Sequence, residues 1–337
     1  MSTNVNSLID RIFREYLEPN DDVQSFSILR LGLTADTSDT TVNYSNSFLT
    51  SEEEDSLEPG AVIEINQELM LVTSLSTSAE QVTVKRAWKG TTLAEHSVDD
   101  IIRINPVFTK KAVFDTISDQ IKNLYPTLFA VETIELTAST GYKILGTYGT
   151  DEDNYNHLVQ PLKAISQYTD WQAGSNETGL KYQGVAIEMI DLPNPFTWTD
   201  EDSVERTKEY TTGPSVVHAV QFVGIAAGHE VFVTFKKKFV APTDGNTTLS
   251  SIGLETEYEP IIMTGVAAQL MSGRDIPAAT IENITQGVAL QQYPVGSSTS
   301  IRNSLLQYQQ ALIQQARKNL RARYPEPVTL NSINYPG

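Results

Sequence analysis

Apolar residues fall at three- and four-residue steps in four stretches of this chain and at every second position in two others, and that alternation of rhythm sets the expected architecture. Val5, Leu8, Ile9, Ile12, Phe13 and Tyr16 keep helical spacing behind Asn6 and Ser7 as capping candidates, and Pro19 stops the run. Between Gly60 and Asn105 the rhythm becomes two: Val62 with Glu64, Leu69 to Val72, Val82 with Val84, and Ile102 with Ile104. This spacing predicts a half-buried antiparallel sheet, too small to hold a core of its own. Arg86 to Thr92 lies between two of these strands, with Gly90 supplying turn freedom and Trp88 a large apolar anchor beside two cations. Pro106 and Thr109 then open a second helix carrying Val113, Phe114, Ile117, Ile121, Leu124 and Leu128, with Pro126 near its end.

From Val131 to Glu255 the texture changes to Thr, Tyr, Val and Gly. Strand-like runs recur at Val131 to Leu136, Gly141 to Leu145, Leu180 to Ile190, Val216 to Val223 and Glu230 to Val240. In the last of these Val231, Val233 and Phe235 point one way, Phe232, Thr234 and Lys236 the other, so one face is core. Glu259 and Pro260 open a helix, Ile261 to Met271, that is apolar nearly all round, and Gly265, Ala267 and Ala268 let its neighbours approach closely. More irregular helix is expected from Pro277 to Gln292. A final helix from Ser298 to Ser300 onward carries Ile301, Leu305, Tyr308, Leu312, Ala316 and Leu320 on one stripe. Arg317, Lys318, Arg321 and Arg323 load its last turns, where the helix dipole favours cations. After Tyr324, three prolines forbid helix and leave an extended arm.

The expected fold is therefore α+β in several parts. Residues 1–19, 106–130 and 256–323 form a bundle of about four helices. Residues 20–105 form a small β-barrel-like insertion, residues 131–255 a larger β-sandwich insertion, and residues 324–337 the arm. The helix at Ile261 to Met271 carries more apolar surface than four short helices readily cover, which points to a homo-oligomer.

Charge changes this picture in one respect. The 337 residues hold 24 Lys and Arg against 42 Asp and Glu, a net charge of −18. That balance argues against a general basic face for nucleic acid, and an acidic wall would instead repel phosphates and let a duplex slide past. There is no cysteine, so disulfides and thiolate metal sites are excluded. No stretch approaches the roughly 20 apolar residues of a membrane span, and the polar start, Met1 to Asn6, lacks a signal layout, so assembly in the cytoplasm is expected.

Candidate chemistry is sparse. His96, His157, His218 and His229 share no spacing that puts two imidazoles on one helix face, and no metal site is expected. Acidic pairs at Glu52 to Asp55, Asp99 with Asp100, Asp151 to Asp153 and Asp200 to Asp202 have the residue type of a glycosidase pair, but they sit between strands, where Asp favours turns. No nucleophile elbow, P-loop or dinucleotide fingerprint is present, so neither a catalytic residue nor a cofactor is expected. Tyr168, Trp171, Tyr182 and Trp198 offer an aromatic platform for sugar stacking or, as plain core, none.

One ordered set of motifs remains: E-L-M-x-V-T at Glu68 to Thr73, V-T-V-x-R at Val82 to Arg86, G-T-T-x-A-x-H at Gly90 to His96, then N-P-x-F at Asn105 to Phe108 opening a helix that ends L-Y-P at Leu124 to Pro126. This order resembles a segment common in virion proteins of tailed bacteriophages and is most similar to neck proteins, the head-to-tail adaptors or connectors. It reaches to about residue 130, and the rest matches by layout. The resemblance implies a structural protein of the virion neck, assembled in the host cytoplasm, that forms a ring of about twelve copies between portal and tail. It implies contact with the portal on one side and the next neck or tail-terminator protein on the other. Genomic DNA would pass through without specific binding, and His96 would have a structural role. The Arg-rich turn and the arm, Arg317, Arg321, Arg323, Tyr324, Val328, Leu330, Ile333 and Tyr335, are the expected portal contacts, since an extended arm with spaced apolar residues suits a sheet edge or groove. The alternative reading is a carbohydrate-binding or depolymerising accessory protein of the virion that uses the sandwich.

Overall fold

The computed structural model describes residues 4–17, 27–31, 38–45, 57–138, 143–144, 158–170, 179–193, 196–199, 205–208, 216–225, 228–271 and 298–324. They form a mixed α+β chain with four α-helices and several antiparallel sheets. The chain divides into two compact units, Met1–Ile121 with Ala241–Leu312, and Lys122–Val240 with Ile313–Gly337.

In the first unit, α1 (Val5–Ile12) runs on into a π-helical turn, Phe13–Leu17. Its cap is Asn4, ahead of the expected Asn6 and Ser7: the Asn4 side chain accepts the Ser7 N–H at 2.8 Å. Two further N–H groups that a helix start leaves without partners, those of Val5 and Asn6, are taken by the carbonyls of Thr247 and Gly245 at 3.1 and 2.8 Å. Residues 241–254 thus hold the first helix, although they were expected to close the large β insertion.

Six strands follow: β1 (Ser27–Leu31), β2 (Thr41–Ser45), β3 (Val62–Ile65), β4 (Glu68–Ser76), β5 (Gln81–Lys85) and β6 (Ile101–Ile104). They pair in the order β1-β2-β5-β4-β3-β6, and β6 returns to β1 to close the barrel, so no strand keeps a free edge. Val42, Tyr44, Ile63, Ile65, Met70, Val72, Val82, Val84, Ile102 and Ile104 fill its interior. The expected phase of β3 is corrected by one residue: Ile63 and Ile65 face the core, which turns Val62 and Glu64 to the opposite face.

Thr109 opens α2 (Lys110–Leu124) as predicted, its hydroxyl oxygen accepting the Ala112 N–H at 3.1 Å. Along α3 (Glu259–Leu270) every residue from Ile261 to Ala268 is buried, including Thr264 and Gly265. The apolar surround is therefore satisfied within one chain, and the argument for an oligomer from this helix falls away. At Gly265, side-chain amides from two other helices cross. Gln309, on α4 (Ser298–Arg323), donates to Gln120 Oε1 at 2.9 Å and to the Ile261 carbonyl at 3.2 Å. Gln120 in turn donates to Gln269 at 3.0 Å.

The second unit holds β7 (Ala130–Thr137), β8 (Lys143–Ile144), β9 (Leu158–Asp170), β10 (Gly179–Gly184), β11 (Ala186–Pro193), β12 (Phe196–Thr199), β13 (Glu205–Lys208), β14 (Val216–Val223) and β15 (Glu230–Lys237). They make a four-stranded sheet, β10-β9-β15-β7, a three-stranded sheet, β11-β14-β8, and the pair β12-β13. Val231, Val233 and Phe235 are fully buried, as their alternation predicts, in a cluster that also takes Val220 and Phe222 from the three-stranded sheet. The 13-residue β9 escapes the sequence pattern because Pro161 interrupts it. That proline sits where the β9–β15 register shifts, between Thr234 and Phe235, a place in a sheet that tolerates a missing N–H.

Candidate functional site

Three of the motifs that carry the resemblance, those at Glu68 to Thr73, Val82 to Arg86 and Gly90 to His96, converge on one carboxylate. Glu68 is the first residue of β4, and its side chain is fully buried. Arg86, one residue past β5, donates to it twice, from Nε at 2.7 Å and from Nη2 at 2.8 Å. The backbone N–H groups of Ala87 and Ala94 and the Nε2 of His96 complete the set, each at 3.0 Å. Burial by itself raises a carboxyl pKa, but the donors from Arg86, His96 and the two N–H groups outweigh it and hold Glu68 well below the ordinary carboxylate range. An ionised carboxylate only accepts, so His96 carries its proton on Nε2.

These bonds fix the loop from 86 to 96 at both ends, and Thr91 pins its middle. The Thr91 hydroxyl oxygen accepts the Leu69 N–H at 3.1 Å and its proton goes to the Trp88 carbonyl, also at 3.1 Å. Such fixing is needed because Ala87 and Lys89 hold left-handed conformations, φ 51° and 54°, on either side of Trp88. Each costs about 1–2 kcal/mol for a residue with a Cβ. Gly90 follows at φ 76°, where glycine has no such penalty. Lys85 lays its ammonium 5.1 Å from the Trp88 ring centroid.

A second buried carboxylate lies on the outer face of β3. Glu64 is fully buried, accepts from Arg103 Nη1 at 2.9 Å, and accepts the Lys111 N–H in the first turn of α2 at 3.3 Å. The Arg103 guanidinium lies 4.5 Å from the Phe13 ring centroid. Burial raises the Glu64 pKa to about 7, with Arg103 and the N–H groups of Lys111 and Lys110 pulling the other way. Neither carboxylate faces solvent, so neither is placed to exchange a proton with a substrate. Both tie chain segments together: Glu68 ties the loop to the barrel, and Glu64 ties α2 and Phe13 to it.

The other candidates separate. His229 is exposed, His218 stands opposite Asp191 in the β14–β11 ladder, and His157 lies outside the described residues. Of the acidic pairs, Asp99 and Asp100 form a turn in which Asp100 accepts from the Ser97 N–H and the Asn66 amide, both at 3.0 Å. Glu52 to Asp55, Asp151 to Asp153 and Asp200 to Asp202 lie outside the described residues, as does Trp171. Tyr168 stands opposite Lys181 and Tyr182 opposite Gln167, so the two tyrosines are not a cross-strand pair. Trp198 lies on β12.

Of the expected portal contacts, Arg317 is half-buried and Arg321 and Arg323 are exposed near the end of α4. Tyr324 is half-buried and its N–H bonds the Leu320 carbonyl at 2.8 Å. Val328, Leu330, Ile333 and Tyr335 lie outside the described residues. Sequence reasoning missed the pairing of Glu64 with Arg103. The available signal was a charged residue flanked by isoleucines on two strands, Ile63-Glu64-Ile65 and Ile102-Arg103-Ile104, which marks an outer face that is itself covered. A scan of protein-family models and a search of curated proteins find no match to this chain.

Proposed function

We propose that this chain is a structural, non-catalytic protein of a tailed-phage virion, a ring-forming head-to-tail adaptor between portal and tail. The observation that carries the reading is that Glu68, Arg86, Thr91, Ala94 and His96, all within the resembling motifs, build one lock around a buried carboxylate. A lock of this kind holds a loop in shape for contact, with its carboxylate committed to donors of the same chain. Four helices with a small barrel and a larger two-sheet insertion, read as a sandwich, match the adaptor layout. Arg321 and Arg323 at the exposed end of α4 suit an acidic partner surface, which this reading assigns to the portal.

Electron micrographs of virions labelled with an antibody to this chain test the reading directly. Label at the junction of head and tail supports it. Label on fibres, on the capsid faces, or its absence from purified virions overturns it.

A further inference from the structure

Three consecutive lysines, Lys236 to Lys238, end β15 and enter the chain beyond it, the densest run of positive charge in the sequence. Strand alternation sends Lys237 to one face and Lys236 and Lys238 to the other. On its face, Lys237 meets a carboxylate, Glu132 Oε2, at 2.7 Å. The other two meet rings. Lys236 Nζ lies 4.5 Å from the Phe129 centroid and 5.9 Å from that of Tyr125, and Lys238 Nζ lies 5.4 Å from the Tyr125 centroid.

Part of this arrangement is ordinary packing. Phe129 is 6% exposed, and a lysine stem covers such a ring well. Tyr125 also follows the end of α2, where the helix dipole draws cations. Neither account supplies counter-charge. Among the described residues Lys236 and Lys238 have no carboxylate partner, although acidic residues outnumber basic ones by 42 to 24. A ring face attracts an ammonium without neutralising it. Two ammonium groups without an ion pair among the described residues, on a chain of −18, are a spot that an acidic surface can complement.

We infer that the Lys236 and Lys238 face, set on Tyr125 and Phe129, is a contact for the acidic surface of a second copy of this chain. The inference rests on the ring reading and adds its polarity. A two-fold contact through this face would press lysine against lysine, so the face must meet a different, acidic one. Such a head-to-tail contact is the kind that closes into rings.

The test is mass photometry of the full chain from about 50 mM to about 500 mM salt, on wild type, K236E/K238E and K236R/K238R. Assembly is expected to weaken with salt, to weaken about tenfold or more on charge reversal, and to persist with arginine. Circular dichroism checks that the reversed protein folds, and where it does not, K238E alone is used, since Lys238 is exposed. Assembly unchanged by reversal overturns the inference and leaves the ring reading intact. A wild type that stays monomeric at every salt overturns the inference, while virion labelling decides the ring reading independently. Titration with a DNA duplex covers the other polyanion: reversal that removes DNA binding but spares assembly assigns the face to nucleic acid and overturns the inference.

Discussion

Glu64 and Arg103 are register partners on neighbouring strands, β3 and β6, and Arg103 Nη1 stands 2.9 Å from Glu64 Oε2. Both side chains are buried, and every contact of the carboxylate is a donor. Burial nonetheless raises the Glu64 pKa from 4.5 to about 7. An acid whose folded pKa is raised contributes stability that is fully present below its unfolded value, near 4.5, and lost as pH rises through 7. Wild type should therefore lose stability relative to E64Q between pH 4.5 and 7, by up to about 3 kcal/mol. Thermal midpoints of both proteins across this range check the sign. A wild type that gains on E64Q with rising pH would show that Arg103 and the α2 N–H groups outweigh burial.

Glu68 has the opposite sign. Its folded pKa is lowered, so its contribution is present above the ordinary carboxylate value and lost as pH falls below it. E68Q keeps the shape and removes the charge, leaving the Arg86 guanidinium, 7% exposed, without its counter-charge. The expected cost is about 3–5 kcal/mol by urea denaturation near neutral pH. Replacing Glu68 and Arg86 together by apolar residues should recover most of it, because no charge is then left buried and unpaired. A cost below about 1 kcal/mol for E68Q would show that the loop holds its shape without the lock.

The helices and the barrel strands were legible because their burial follows one period at a time. Val113, Ile117 and Ile121 repeat by fours on α2, and Val82 with Val84, or Ile102 with Ile104, alternate on strands with one face inside. β3 was misphased because a covered barrel strand is buried on both faces, so Val62 with Glu64 offers an alternation as readily as Ile63 with Ile65. The lock was legible as a motif but not as a mechanism. Nothing in the spacing of Glu68, Arg86 and His96 says that three points in the sequence meet at one carboxylate. The self-association argument from α3 failed for a related reason. Its all-round apolar surface is a statement about burial, and the residues that cover it come from distant parts of the chain.

Gly265 is where α2, α3 and α4 come together through the Gln120 and Gln309 amides. A Cβ there would lie 2.1 Å from Gln309 Nε2 and 2.3 Å from Gln120 Oε1, so one amide must move and its bonds be lost. Alanine also favours helix over glycine by about 1 kcal/mol, which offsets part of the loss. G265A is expected to destabilise by about 1–2 kcal/mol, and in a Q309A background to become neutral or stabilising. A double-mutant cycle by urea denaturation measures this coupling. Equal effects of G265A in both backgrounds would show that the amide crossing does not limit the space.

Residues 131–236, the strands of the second unit, are expected to be removable. β7 and β15 are antiparallel neighbours, with Ala130 opposite Lys237, so the insertion leaves and re-enters the chain at adjacent points of one ladder. A short Gly-Ser linker from residue 130 to residue 237 spans that gap, since register partners in an antiparallel pair lie about 5 Å apart. The cut must spare residues 241–254, because the carbonyls of Gly245 and Thr247 hold the first turn of α1. Cutting at 255 instead would strip those acceptors and remove the buried Leu249, Ile252 and Leu254. The chain lacking 131–236 should keep its helical circular dichroism and a single cooperative thermal transition, whereas one lacking 131–255 should lose several degrees or fail to fold. If both deletions behave alike, the segment 241–254 does not anchor α1. If the shorter deletion already abolishes cooperative unfolding, the helices and the large insertion share one core.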